Sequence, residues 1–119
     1  MTPLYGALMT EKLIPIFRVR NGLETAKWYQ RLGFVVTGEH RFAPTLPLYL
    51  FLDRGGEELH LSEHHGDARP GSLAYLWVDD VDEVALEFGV TVVDQPWGRE
   101  VQLVDPDGNR LRVATRTES

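Results

Sequence analysis

The chain contains no cysteine, which excludes a disulfide framework, a thiolate metal site and a cysteine nucleophile. No stretch approaches the roughly 20 consecutive apolar residues that a membrane-spanning helix needs. No basic leader followed by an apolar run opens the sequence. These two absences predict a soluble, cytoplasmic protein with no membrane partner. Positive charge is scarce: 12 Lys and Arg stand against 18 Asp and Glu, a formal net charge of −6. A basic face is what phosphate backbones require, so nucleic acid is not expected as a partner. No serine sits in a nucleophile-elbow context, and no phosphate-cradling glycine loop is present.

What is present is an internal repeat. Tyr49-Leu50-Phe51-Leu52-Asp53-Arg54-Gly55-Gly56-Glu57-Glu58-Leu59-His60-Leu61 reads like Val101-Gln102-Leu103-Val104-Asp105-Pro106-Asp107-Gly108-Asn109-Arg110-Leu111-Arg112-Val113. Each copy has an alternating strand, an Asp, a glycine-containing turn and a second alternating strand, which is the pattern of a β-hairpin. Upstream of each lies a strand followed by a helix. Leu13 to Val19 precedes a helix capped by Asn21 with Glu24 three residues on, carrying Leu23, Ala26, Tyr29 and Leu32 and stopped by Gly33. Leu73 to Val78 precedes a helix capped by Asp80 with Glu83, carrying Val81, Val84, Ala85 and Phe88 and stopped by Gly89. These are capping-box starts and glycine stops. A further β-rich run follows each helix, Phe34 to Gly38 and Val90 to Asp94. The expectation is one α+β domain over residues 1–119. It has two β-α-β-β-β modules, at about 13–62 and 72–114, and an N-terminal arm at 1–12. Neither module is large enough to bury a sufficient core alone.

Strand side chains alternate between faces. Phe17, Val19, Leu59, Leu61, Ala74, Leu76, Leu111 and Val113 are expected against the helices. The other parity carries Ile14, Ile16, Arg18, Glu58, His60, Ser62, Leu73, Tyr75, Trp77, Arg110 and Arg112. Those residues are expected to line a cleft between two curved mixed sheets, the usual place for a small ligand. The candidate ligand-binding residues are Phe42, His60, Tyr75, Trp77, Trp97, Gln102 and Arg112. Aromatic faces stack planar heterocycles and attract cations. Glu39, Glu58, Glu63 and Glu100 add acidic steering, whereas Arg110 and Arg112 either recognise a carboxylate or phosphate or pair with Glu58. Tyr75 and Trp77 either face a ligand or fill an interface. The adjacent pair His64 and His65 reads as part of a solvated loop, not as a metal site.

Asn21 to Phe34, Val78-Asp79-Asp80-Val81-Asp82, Pro96-Trp97-Gly98-Arg99-Glu100 and Asp105-Pro106-Asp107-Gly108-Asn109 together resemble the glyoxalase/bleomycin-resistance/dioxygenase (vicinal oxygen chelate) superfamily. The resemblance runs from about Leu13 to Ala114. It implies metal-ligand positions at Ile14, His60, Leu73 and Arg112, of which only His60 carries a donor suited to a metal. The expectation is therefore no metal and no cofactor. Among the superfamily's non-metal members the chain resembles the bleomycin-binding resistance proteins, which implies non-catalytic sequestration of an aromatic or cationic, bleomycin-like ligand in the interface cleft of a homodimer. The alternative is an enzyme of the same fold (lyase, dioxygenase or thiol transferase) with an atypical or absent metal site.

Overall fold

The computed structural model describes residues 11–117. The order strand, helix, strand, strand, strand occurs twice: β1 (Ile16–Arg18), α1 (Gly22–Arg31), β2 (Val35–His40), β3 (Tyr49–Arg54) and β4 (Glu57–Ser62), then β5 (Leu73–Trp77), α2 (Val81–Phe88), β6 (Val93–Gln95), β7 (Gly98–Val104) and β8 (Arg110–Arg116). Each module forms one four-stranded mixed sheet, in the orders β1-β4-β3-β2 and β5-β8-β7-β6. The first strand of each module runs parallel to its last (Ile16 opposite His60, Tyr75 opposite Arg112). Every other pairing is antiparallel.

The expected helix starts are present. The Asn21 side chain accepts a hydrogen bond from the Glu24 backbone N–H, and Asp80 accepts from Asp82 and Glu83. Each satisfies helix-end donors that would otherwise be orphaned. Gly89 ends α2 in the left-handed region at φ 65°. Three details differ from the sequence reading. The first strand is confined to Ile16–Arg18. The run after α2 becomes a strand only at Val93, because Val90 and Val92 pack back on the core. Leu23 is exposed, and the buried side of α1 is made by Gly22, Thr25, Ala26 and Tyr29.

The helix-facing residues behave as expected. Phe17, Val19, Leu50, Leu52, Leu59 and Leu61 of the first sheet and Leu76, Val101, Leu103, Leu111 and Val113 of the second belong to one buried cluster. The modules meet through their helices, where Trp28 packs on Phe88 with ring centroids 5.1 Å apart. A polar clamp reinforces that contact. The Tyr29 hydroxyl donates to Asp105 (2.7 Å), and Asn109 Nδ2 donates to the Arg18 carbonyl (3.0 Å). The Thr25 hydroxyl and Arg20 both donate to Asp107 (2.6 and 2.9 Å). The Asp-Pro-Asp-Gly-Asn turn of the second module thus holds the β1–α1 junction of the first.

Helices therefore cover one face of each sheet, and the opposite faces stay open. The described residues fill a slab of 50 × 45 × 21 Å, whose short dimension suits one sheet and one helix layer. The two open faces do not enclose a cleft within this slab. Ile16, Leu73, Tyr75, Trp77 and Trp97 are accordingly exposed. Of the expected arm, residues 1–10 lie outside the described residues, while Lys12 is ion-paired with Glu58.

Candidate functional site

On the open face of the second sheet, β5, β7 and β8 bring four of the seven candidates together around a residue that the sequence reading placed only among steering acids. Glu100 is 1% exposed. Its carboxylate accepts two hydrogen bonds from Arg112 (Nε 2.9 Å, Nη2 3.0 Å) and one from the Tyr75 hydroxyl (2.6 Å). Gln102 stands directly opposite Arg112 in the ladder, on the same face as Glu100. Trp97 lies in the turn between β6 and β7, and its Nε1 donates to the Tyr75 oxygen (2.8 Å). The result is a directional chain, from Trp97 to Tyr75 to Glu100, with Arg112 closing it from the other side.

Charge and burial oppose each other at Glu100. Burial raises its pKa, but the hydrogen bonds from Arg112 and Tyr75 outweigh that and hold it below the usual carboxylate value. Burial, then the bond to Glu100, raises the Tyr75 phenol. Glu100 stays ionised and Tyr75 stays protonated, so the chain keeps its direction at neutral pH. Three aromatic rings stand above it as a ledge: Tyr75, Trp77 and Trp97 are 37%, 36% and 46% exposed. Tyr75 and Trp77 lie 5.0 Å apart, and Trp77 pairs with the buried Ala114 on β8. Gly98 is required at the base of the ledge, since a Cβ there would lie 2.4 Å from the Thr115 carbonyl oxygen.

The remaining candidates, His60 on β4 and Phe42 in the loop after β2, belong to the first module. His60 Nδ1 lies 2.8 Å from the Tyr49 hydroxyl, and its ring packs edge-on against Phe51 at 4.8 Å. Burial holds the imidazole pKa below its ordinary value, with Glu58 opposing. Tyr49 and Phe51 complete this second aromatic group, and the sequence reading did not single them out. Phe42 packs edge-on against His40 and is 76% exposed, away from the Glu100 chain. Arg112 pairs with Glu100 and not with Glu58. Glu63 is not a steering group: it accepts from the backbone N–H of Gly22 and Leu48 (2.7 and 3.0 Å), tying α1 to β3. Ser62 is fully buried and donates to Asp67. His65 does sit in the loop, beside Arg18 at 3.2 Å.

The register also refines the positions compared with metal ligands. Ile16 stands opposite His60 and Tyr75 opposite Arg112, each one pleat beyond Ile14 and Leu73 on the same face. The four side chains there are a hydrocarbon, an imidazole, a phenol engaged with Glu100 and a guanidinium. A divalent ion ordinarily takes about three imidazole, thiolate or carboxylate ligands. This donor set does not fit one, and no group of three His, Asp or Glu side chains suited to a metal occurs among the described residues.

A hollow of about 250 Å³ joins the two modules on the ledge side, lined by Leu13, Pro15, Glu58, Tyr75 and Trp77 among others. A roomier one, about 570 Å³, lies between the end of α1 and the start of α2. Its Arg31 and Glu87 are paired with each other (2.8 Å), and Arg54 donates to the Leu32 carbonyl. The ledge is the candidate site, because convergent polar groups and open aromatic faces coincide there.

A family model described as glyoxalase superfamily protein matches residues 1–119. Among solved structures, a bleomycin-binding protein complexed with bleomycin is 26% identical, with a TM-score of 0.66 over 91% of this chain and 100% of that one. The antibiotic-binding protein TnmS3 from Streptomyces sp. CB03234 is 27% identical, with a TM-score of 0.67 over 92% and 99%. A bleomycin resistance determinant encoded on the transposon Tn5 is 25% identical, with a TM-score of 0.65 over 92% and 100%. No curated protein matches.

Proposed function

We propose that this chain, which belongs to the glyoxalase superfamily, binds a planar aromatic small molecule of antibiotic type and withholds it without transforming it. The observation that carries this reading is the Tyr75–Trp77–Trp97 ledge, open to solvent, with Tyr75 and through it Trp97 tied to a buried, fully engaged Glu100. Rings fixed in advance lose little freedom on stacking a guest, so binding is stronger for the same contact area. The groups beneath them suit holding more than chemistry. Glu100 is ionised and saturated with donors, and Arg112 is a permanent cation. Neither is a general acid or base poised near neutrality. Proteins of similar fold whose names specify bleomycin or antibiotic binding support the ligand class.

The same reading makes the working unit a homodimer. Contiguous open apolar faces are uncommon on monomeric soluble proteins and mark binding surfaces. Setting the first sheet of one copy over the second sheet of another encloses a cleft and brings the His60–Tyr49–Phe51 group opposite the ledge.

The test is a titration of tryptophan fluorescence with bleomycin, an anthracycline and an anthraquinone carboxylate, followed by mass analysis of recovered ligand. Saturable quenching at micromolar concentration by at least one compound, recovered unchanged, is the expected result. No quenching by any of them, or conversion of a bound compound, refutes the reading. Sedimentation at low micromolar protein is expected to give the dimer mass, and a clean monomer would remove the interface cleft.

A further inference from the structure

Resting on that reading of the ledge, we infer that its guest is an aromatic anion, not a cation. Aromatic clusters usually invite cations, because a ring face carries negative potential. Here the protein's own arginines occupy that role. The Arg116 guanidinium lies 4.0 Å from the Trp77 ring centroid, and that of Arg112 lies 5.2 Å from Tyr75 and 5.9 Å from Trp97. Each ring of the ledge therefore already has a cation beside it. An incoming ammonium would compete with a tethered guanidinium and also be repelled by it.

The charge balance of the face points the same way. Strand alternation and the ladder register put Arg110, Arg112 and Arg116 on the open side of β8, with Gly98, Glu100, Gln102 and Val104 beside them on β7 and Leu73, Tyr75 and Trp77 on β5. Three guanidiniums thus face one carboxylate. That carboxylate, Glu100, is buried and consumed by Arg112 and Tyr75. Arg110 and Arg116 are exposed, and neither has a carboxylate partner among the described residues. The chain as a whole carries −6, so this sheet face is a local reversal of sign. Guanidinium forks recognise carboxylates and sulfonates through paired hydrogen bonds and stack on aromatic planes at the same time. A planar ring bearing an acidic substituent satisfies both the ledge and the free arginines.

A matched set of probes isolates charge from shape: 2-naphthoate, neutral 2-naphthamide and 2-naphthylmethylammonium, titrated into the full-length protein and followed by the Trp97 indole N–H resonance. Naphthoate is expected to bind at least about ten-fold more tightly than the ammonium, with the amide between, and the gap to narrow as salt is raised. The Arg110→Gln/Arg116→Gln double variant alters two exposed positions, and its folding is checked by the wild-type spectrum elsewhere. In it the preference is expected to fall to about two-fold or less, through loss of the anion's affinity. Ammonium binding as tight as naphthoate, or an undiminished preference in the double variant, overturns the inference while leaving aromatic binding intact. Failure of all three probes to move the Trp97 resonance would instead sink the ledge as a site, and the inference with it.

Discussion

Replacing Tyr29 by phenylalanine removes one oxygen from the most buried part of the clamp between the modules. The ring remains among Phe17, Trp28 and Phe34, so packing is nearly conserved. What is lost is the 2.7 Å hydrogen bond to the Asp105 carboxylate. A hydrogen bond to a charged group is worth about 1.5–3 kcal/mol. Asp105 keeps three other donors, the backbone N–H of Asp107 and Asn109 and the Asn109 side chain, so the carboxylate is not orphaned. That places the cost near ~2 kcal/mol. For a chain of this length ~1 kcal/mol corresponds to about 4 °C, so Tm is expected to drop by about 8 °C. The assay is thermal and urea unfolding at fixed protein concentration, since dimerisation would otherwise shift the midpoint. In an Asp105→Asn background the same change should cost only ~1 kcal/mol, because a neutral acceptor gains less from the hydroxyl. Alkaline pH supplies a second readout. Burial, then the Asp105 charge, raises the Tyr29 phenol far above its ordinary value of 10.0. The folded state therefore keeps the proton that the unfolded state loses. Its contribution is whole below pH 10 and declines above it, by about 1.4 kcal/mol per pH unit. Tyr29→Phe should flatten that decline by one proton's worth. A cost below ~0.5 kcal/mol, or an equal cost with and without the Asp105→Asn change, would refute the clamp energetics.

At the site itself, Gly98→Ala drives a methyl into the Thr115 carbonyl, so it should cost about 1–3 kcal/mol by overpacking and weaken aromatic binding by displacing Trp97. Unchanged stability would show that β7 and β8 separate freely there. Trp97→Phe loses a hydrogen bond at an exposed edge and should alter stability by less than ~0.5 kcal/mol, while affinity for an aromatic probe falls several-fold. Equal affinity would remove Trp97 from the ledge. For His60 the folded environment favours the neutral ring. That contribution is whole above pH 6.5 and shrinks as pH falls below it. An NMR titration should place its midpoint under 6.5, and lower still in Glu58→Gln; a midpoint at or above 6.5 contradicts the burial argument.

The two-module plan was legible because its signals are local. Asn21 and Asp80 are cap residues, Gly33 and Gly89 follow helices with positive φ, and the closing strands of the two hairpins repeat with the same parity, Leu59 and Leu61 matching Leu111 and Val113. Helix-facing and open-facing strand residues were separable by alternation alone. The Glu100 chain was harder to read. In Gly-Arg-Glu-Val-Gln-Leu-Val, a glutamate on the polar parity looks like a surface acid. It is buried because Tyr75 from β5 and Arg112 from β8 converge on it, with Trp97 bonded in turn to the Tyr75 hydroxyl. Tyr49 and Phe51 were passed over for a related reason. Their role depends on register, which sets Phe51 opposite His60 and Tyr49 opposite Ser62. Leu23 misled because helical spacing reports an apolar stripe and not which residues the neighbouring sheet reaches. Thr25 is buried instead, with its hydroxyl committed to Asp107.

The clamp turn also bears on how the protein is made. Residues of the first module, Thr25, Tyr29 and the Arg18 carbonyl, find their partners only in Asp105, Asp107 and Asn109, more than seventy positions later in the chain. During vectorial synthesis the opening half must wait on the ribosome with its junction unsealed until nearly the last strand emerges. Truncation shortly before residue 105 should then leave the whole polypeptide protease-sensitive, not a finished half attached to a loose one.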